Sequence, residues 1–245
     1  MARSRKHTSL PPPYLKRVWI DEEKVPDRSA YPFCLPMFRE PDFELTFDAP
    51  VTIIVGENGT GKSTLLEGIA VLAGFEEGGG GRGIGAVGFD ESTEASGGLL
   101  AQAMKASWLP KVGRGWFFRA ETFFSLARNI DGDFLSHSHG EGFMRFFEER
   151  CQRPGIFFFD EPESALSISR QFEFLKLLRR MQLGNQTQVI MATHAPILMA
   201  LPDVRLLRLE KYGLRPVTLE DTDHYRMMRE FILDPHGTVD MMLWE

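Results

Sequence analysis

The sequence has no long hydrophobic run and very little cysteine. No stretch of its 245 residues approaches the roughly 20 consecutive apolar residues of a membrane-spanning helix, so we expect no membrane insertion. The two cysteines, Cys34 and Cys151, stand alone, without the paired spacing of a metal site or a disulfide framework. A proline run follows the basic amino terminus, where a secretory signal would have an apolar core. These absences together predict a cytoplasmic protein.

The chain also has no excess of basic residues. Lys and Arg number 28 against 34 Asp and Glu, which gives a formal net charge of −6. A broad nucleic-acid surface is therefore not expected, because neutralising phosphates requires clustered Lys and Arg. Arg3, Arg5 and Lys6 could still form a local basic patch, so contact with a nucleic acid stays an open alternative.

What the sequence does contain is a regular alternation of strand and helix patterns. The alternation indicates one α/β domain over residues 1–245, with a mostly parallel sheet flanked by helices. Residues 76–88 are too rich in glycine for a regular element and are expected to form a mobile loop. A small, mostly helical insertion is expected at about 97–150. Strands are predicted at 14–20, 43–47, 51–55, 116–119, 156–159, 188–192, 205–209 and 214–219, and the first two are expected to form an antiparallel flap. Helices are predicted at 62–73, from residue 168 onward, and at about 222–233.

The segment GENGTGKST matches the pattern G-x-x-x-x-G-K-[ST] between a predicted strand and a predicted helix. Glycines let the backbone N–H groups of such a loop point at a phosphate, and the helix N-terminus adds positive potential. Lys62 would place its charge on the β- and γ-phosphates, and Ser63 would offer its hydroxyl to Mg²⁺. The expected nucleotide-binding residues are Gly56, Glu57, Asn58, Gly59, Thr60, Gly61, Lys62, Ser63 and Thr64.

Two adjacent acids end the later apolar strand, in the segment IFFFDEPE. Ligands of parallel α/β sheets lie at the carboxyl ends of the strands. Asp160 would hold Mg²⁺ there, and Glu161 would orient and deprotonate an attacking water. Adjacent acids at a strand end also occur in plain solvent-facing turns, and the phosphate-binding loop upstream is what favours the catalytic interpretation.

In this order the two segments resemble the P-loop ATPases of the ABC type, and further motifs follow the family's order. The string HSHGE resembles the signature LSGGQ, which implies that Ser138 and Gly140 bind the γ-phosphate held by a partner subunit. His137 and His139 depart from the family's Leu and Gly. Glu141 resembles the variant found in SMC and Rad50 proteins.

Other motifs of the family are matched only in part. Residues 164–166 resemble the D-loop, and His194 in ATHAP resembles the switch histidine that contacts the γ-phosphate. The Gln loop has no glutamine after the strand at 116–119, and Glu121 or Arg119 could occupy that region instead. Glu121 is the candidate for a place near Mg²⁺. Gln102 has the right residue type but falls in a predicted helix. Tyr31 could stack on adenine.

More narrowly, AYPF, VGENGTGKSTLLE, FFRAETFF, SHGEGF, FFFDEPESALS and ATHAPIL resemble short bacterial AAA-family ATPases with an ABC-like core. The likeness extends over nearly the whole chain. It implies ATP and Mg²⁺ as ligands, ATP hydrolysis, and a soluble head-to-tail homodimer that closes on ATP. Two alternatives stay open: the nucleotide-binding subunit of an ABC transporter, and a DNA-repair or phage-defence ATPase with an effector protein or nucleic acid as partner.

Overall fold

A computed structural model of the chain describes residues 10–39, 41–85, 96–123 and 139–244. These residues form two sheets with helices packed around them. The strands are β1 (Leu15–Ile20), β2 (Glu44–Thr46), β3 (Val51–Val55), β4 (Gly80–Gly81), β5 (Ile84–Gly85), β6 (Met104–Trp108), β7 (Gly115–Arg119), β8 (Gly155–Asp160), β9 (Thr187–Ala192), β10 (Arg205–Glu210) and β11 (Gly213–Pro216). The helices are α1 (Lys62–Ala73), α2 (Ser96–Ala103), α3 (His139–Arg150), α4 (Ile168–Leu183), α5 (Pro196–Met199), α6 (Asp223–Leu233) and α7 (Pro235–Trp244).

The main sheet has the strand order β11-β10-β3-β9-β8-β7-β4-β5. Neighbours from β10 to β7 run parallel, whereas β11, β4 and β5 pair antiparallel at the two edges. Every residue of β3, β8 and β9 is buried. These strands are nearly continuous apolar runs because layers of side chains cover both of their faces.

The two faces of the main sheet carry two separate cores. Alternate residues of a strand point to opposite faces, so Phe157 and Phe159 enter one core while Ile156 and Phe158 enter the other. The first core is rich in phenylalanine from α3 and α4, and the rings of Phe118 and Phe159 stack there at 4.8 Å. The second core joins α1 and α2 to the smaller sheet.

The smaller sheet is an antiparallel flap with the order β2-β1-β6. It is tied to the main sheet by Gln188, which is fully buried near the start of β9. The Oε1 atom of Gln188 accepts the backbone N–H groups of Tyr14 and Leu15, each at 2.8 Å. Its Nε2 atom donates to the carbonyl of Leu15 at 3.0 Å. One side chain therefore satisfies three backbone groups at the start of the flap.

The predicted α/β class, mostly parallel sheet and antiparallel flap are confirmed. The interval 97–150 is less helical than expected, because it also contributes β6 to the flap. Part of the glycine-rich interval 76–88, expected as a loop, instead forms the short pair β4 and β5 at the sheet edge. Residues 86–88 lie outside the described part of the chain.

The C-terminal helices α6 and α7 contact each other but contribute no buried residue to either core. The sequence predicted the first of them and missed the second. Their exposed apolar side chains include Met227, Phe231, Met242 and Trp244. Within the described ranges, no helix has the length and apolar character needed to cross a membrane.

Candidate active site

The loop between β3 and α1 lines a cavity of about 490 Å³. Gly61 is the N-cap of α1 and has a φ of +95°, in the left-handed region. A Cβ atom there would approach Met37 Cε to 2.7 Å and Leu35 Cδ1 to 2.9 Å, so only glycine fits. The cavity is lined by Tyr31, Leu35, Asn58, Gly59, Gly61, Lys62, Ser63, Thr64 and Glu161. The predicted phosphate loop and one of the predicted acids therefore share one cavity.

Lys62 is the first residue of α1 and is only 3% exposed. Its Nζ atom donates to the carbonyl of Glu57 in the same loop at 2.8 Å. Burial lowers the pKa of Lys62, and nearby carboxylates, Glu161 first, oppose that shift. A phosphate group in the cavity could replace the carbonyl as the partner of this ammonium group.

Asp160 ends β8, and its Oδ1 atom accepts a hydrogen bond from Ser63 Oγ at 3.0 Å. Burial raises the pKa of Asp160 to about 6, although the Arg119 cation and the bond from Ser63 act against it. A hydroxyl and a carboxylate oxygen are the hard donors that Mg²⁺ takes, together with nucleotide phosphates and water. This donor pair fits a magnesium site of the expected kind.

A buried arginine, the alternative to Glu121 in the Gln-loop region, completes the surroundings of Asp160. Arg119 ends β7 directly beside Asp160 in the sheet register and is 7% exposed. Its Nη2 atom lies 2.7 Å from Glu67 Oε1 on α1, and its Nε atom lies 3.8 Å from Asp160 Oδ2. Burial raises the pKa of Glu67 to about 7, with Arg119 opposing the shift. The two oxygens of Asp160 thus face different partners.

Glu121 lies at the exposed side of this cluster. Its side chain is 82% exposed, and its Oε2 atom is 3.3 Å from Arg119 Nη2. Gln102 lies on helix α2, as predicted, and its side chain is exposed. The place near Mg²⁺ assigned to Glu121 stays a prediction.

The turn after β8 and the loop after β9 are held together. Glu161 has a φ of +46°, and its backbone N–H donates to the carbonyl of Ala192 at 3.0 Å. Its Oε1 atom lies 3.3 Å from His194 Nε2. Glu163, which the sequence analysis passed over, accepts the backbone N–H of His194 at 2.6 Å through Oε1. Glu161 and His194 are therefore positioned as one unit.

His194 has a second histidine as its neighbour. Its Nδ1 atom lies 2.9 Å from Nε2 of His224 on α6. The pKa of His194 is lowered first by burial and then by the charge of Lys62, which favours the neutral ring. No local sequence signal could have found His224, because it meets His194 only through the packing of α6. Beyond this pair opens an apolar groove of about 460 Å³ between α6 and α7.

Tyr31 reaches the loop through its hydroxyl, which lies 2.5 Å from Thr64 Oγ1. Its ring is 53% exposed at the edge of the cavity, and adenine stacking on it stays a prediction. Gly140 falls in the first turn of α3. Ser138 and His137 lie outside the described residues. The contact of Ser138 and Gly140 with a partner's nucleotide therefore stays a prediction as well.

Two family models match the chain. The model described as "AAA domain" matches residues 37–106, and the model described as "AAA domain, putative AbiEii toxin, Type IV TA system" matches residues 89–200. Between them they include the phosphate loop, the paired acids and His194. These matches support an ABC-type P-loop ATPase. The matched regions include Lys62, at the start of α1 after β3, and Asp160, at the carboxyl end of β8.

Similarity to individual ABC-type proteins is more limited. The chain is 62% identical over 32 residues to the DNA replication and repair protein RecF of Synechococcus sp. (strain JA-2-3B'a(2-13)), covering 13% of this chain and 8% of that protein. The SMC head domain from Thermotoga maritima has 16% identity and a TM-score of 0.46, over 83% of this chain and 99% of that one. An inward-facing metal-chelate type ABC transporter has 17% identity and a TM-score of 0.45, over 88% of each chain. These structures are distant likenesses, and the assignment rests on the chain's own motifs and the family models.

Proposed function

We propose that this ABC-type protein binds ATP with Mg²⁺, hydrolyses it, and works as an ATP-driven dimer switch. One observation carries the proposal: Lys62, Ser63 and Glu161 line a single cavity, and Asp160 is hydrogen bonded to Ser63 at its edge. A phosphate-binding cation, a pair of metal-holding oxygens and a general base are the parts that phosphoryl transfer to water requires.

The residues divide the work according to their positions. Backbone N–H groups of the loop and the Lys62 ammonium bind the phosphates, while Ser63 and Asp160 would hold Mg²⁺. Bound Mg²⁺ would neutralise phosphate charge. Glu161, 42% exposed in its side chain, can accept a proton from water in the cavity. His194 Nε2 faces Glu161 Oε1 and would orient that carboxylate or donate to the γ-phosphate.

The test of this chemistry is Glu161→Gln, which keeps the side-chain shape but removes the base. ATP binding by calorimetry should survive, whereas turnover should fall by roughly 10²-fold or more. Glu173→Gln is the matched control, because Glu173 is a surface carboxylate on α4 that pairs with Arg170. Lys62→Ala should instead lose most ATP affinity. A Glu161→Gln protein with near wild-type turnover would remove Glu161 from the mechanism.

The dimer switch is supported by the resemblance of residues 137–141 to the family's signature. In that arrangement Ser138 and Gly140 of one subunit complete the γ-phosphate site of the other, so turnover should rise with protein concentration. Mixing Lys62→Ala chains with Ser138→Arg chains yields a dimer with one doubly defective site and one intact site. Recovered ATPase activity in the mixture is the expected result. Inactivity of a demonstrated heterodimer, or a fully active monomer in light scattering, would contradict the switch.

A further inference from the structure

A second cavity lies at the other end of the strands that carry the candidate site. Its volume is about 530 Å³, and it opens where the chain enters β7 and β8. Arg119 and Asp160 stand at the opposite ends of these strands. The length of β7 separates the two cavities by about 15 Å. The second cavity is lined by Gly81, Arg82, Gly113, Arg114, Gly115, Trp116, Glu149, Arg150, Arg153, Pro154 and Phe157.

Four arginines line this cavity in a chain whose formal net charge is −6. Among the described residues, no carboxylate forms an ion pair with Arg82, Arg114, Arg150 or Arg153. The single acid of the lining, Glu149, instead faces Arg145 at 3.3 Å. Guanidinium groups that line one cavity repel one another, and an anion bound among them would offset that repulsion.

The wall of the cavity contacts two of its arginines, Arg150 and Arg82. The Arg150 guanidinium lies over the ring of Trp116, 5.0 Å from its centroid. Trp116 is only 4% exposed, and its indole N–H has no hydrogen-bond partner in the described part of the chain. Arg82 passes beside Gly113, where a Cβ atom would lie 2.4 Å from its Nη1 atom. Glycine at 113 therefore leaves room for a guanidinium group at the cavity wall.

We propose that this arginine pocket, lined by Arg82, Arg114, Arg150 and Arg153, binds a small anion that carries two or three linked phosphates. The planar guanidinium fork matches phosphate oxygens in pairs, and several such forks suit an anion with several negative charges. A single carboxylate or monophosphate would leave at least two of the four positive charges uncompensated. The concave shape and limited volume fit a small molecule better than an extended strand of nucleic acid.

The experiment uses inorganic tripolyphosphate and the full chain with Lys62→Ala, so that the phosphate loop does not contribute. Calorimetry should show one binding site per chain, with an affinity that falls steeply as salt is added. Adding Arg114→Ala and Arg153→Ala should weaken binding by at least about tenfold for each arginine removed. The matched control replaces Arg17 and Arg215, which pair with Glu44 and Glu210 elsewhere on the surface. That control removes the same charge and should change the affinity by less than about twofold.

Two kinds of result would overturn the arginine pocket as a polyphosphate site. The first is that the Lys62→Ala chain does not bind tripolyphosphate, or that the test and control variants weaken tripolyphosphate binding equally. The other is arginine-dependent binding of a single-stranded oligonucleotide without binding of tripolyphosphate, which would assign the pocket to nucleic acid. Neither depends on ATP turnover, so failure of the proposed ATPase function would be seen separately, in the Glu161→Gln and Lys62→Ala measurements.

Discussion

Replacing Arg119 by Met should destabilise the protein far more than the loss of a surface charge. Arg119 is buried between two buried carboxylates, Glu67 at 2.7 Å and Asp160 at 3.8 Å. Removing one partner of a buried ion pair leaves uncompensated charge and costs about 3–5 kcal/mol. We expect the free energy of unfolding of the metal-free, nucleotide-free protein to fall by about that amount at pH 8.

The loss should also depend on pH in a defined direction. The pKa of Glu67 is raised from 4.5 to about 7, so the folded state holds a proton that the unfolded chain releases between these values. The contribution of Glu67 to stability therefore declines as the pH rises through this window. Without Arg119 the pKa of Glu67 rises further, and the decline extends to higher pH. The destabilisation by Arg119→Met should be larger at pH 8 than at pH 5.5.

Urea unfolding followed by circular dichroism, with a chelator present, measures both quantities. Arg180→Met is the matched control, because Arg180 pairs with Glu148 at 3.0 Å while both side chains are more than half exposed. Such a surface pair contributes at most about 1 kcal/mol. The reasoning is refuted if Arg119→Met and Arg180→Met destabilise equally at pH 8, or if the Arg119→Met effect is the same at both pH values.

Four further substitutions, one of them a control, test particular contacts. Gly115→Ala should cost about 3 kcal/mol or more in thermal or urea unfolding, because its Cβ would lie 1.6 Å from a carbonyl of the neighbouring strand. Gly213→Ala, also at positive φ but in open space, should cost only about 1–2 kcal/mol, and equal losses would contradict the clash. Gln188→Leu should cost about 3 kcal/mol or more by leaving three buried backbone groups unsatisfied, and a change within 1 kcal/mol would argue against that tie. His224→Phe should raise the pKa of His194 in an NMR titration, and an unchanged or lower value would show that His224 does not act on it.

The parts that could be predicted from the sequence are those whose signal is local. The bounds of α1 follow from a glycine-rich loop before Lys62 and a glycine at position 74. The strand before Asp160 is an uninterrupted apolar run, as a strand covered on both faces requires. In each case the residue that carries the chemistry begins or ends an element, so locating the element also located the residue.

The parts that were missed depend on contacts between distant segments. Strand β6, with the sequence MKASW, exposes Lys105 and becomes a strand because it pairs with β1. Strands β4 and β5 consist largely of glycine, so they show no alternation of apolar and polar side chains from which a strand could be predicted. The role of Arg119 was not predicted because it requires Glu67 on α1 to meet the end of β7. Such contacts are set by the packing of distant segments and produce no periodic pattern in the sequence.

The position of β9 in the sheet has a consequence for how the protein folds. This strand lies between β3 and β8 although it follows both of them in the chain. Both segments that carry Ser63 and Asp160 therefore precede, in the chain, the strand that lies between them in the sheet. We expect them to reach hydrogen-bonding distance only once β9 has inserted between β3 and β8, because that strand sets their spacing. We therefore expect a nascent chain that has emerged only as far as Asp160 to have the motifs of the candidate site but not its geometry.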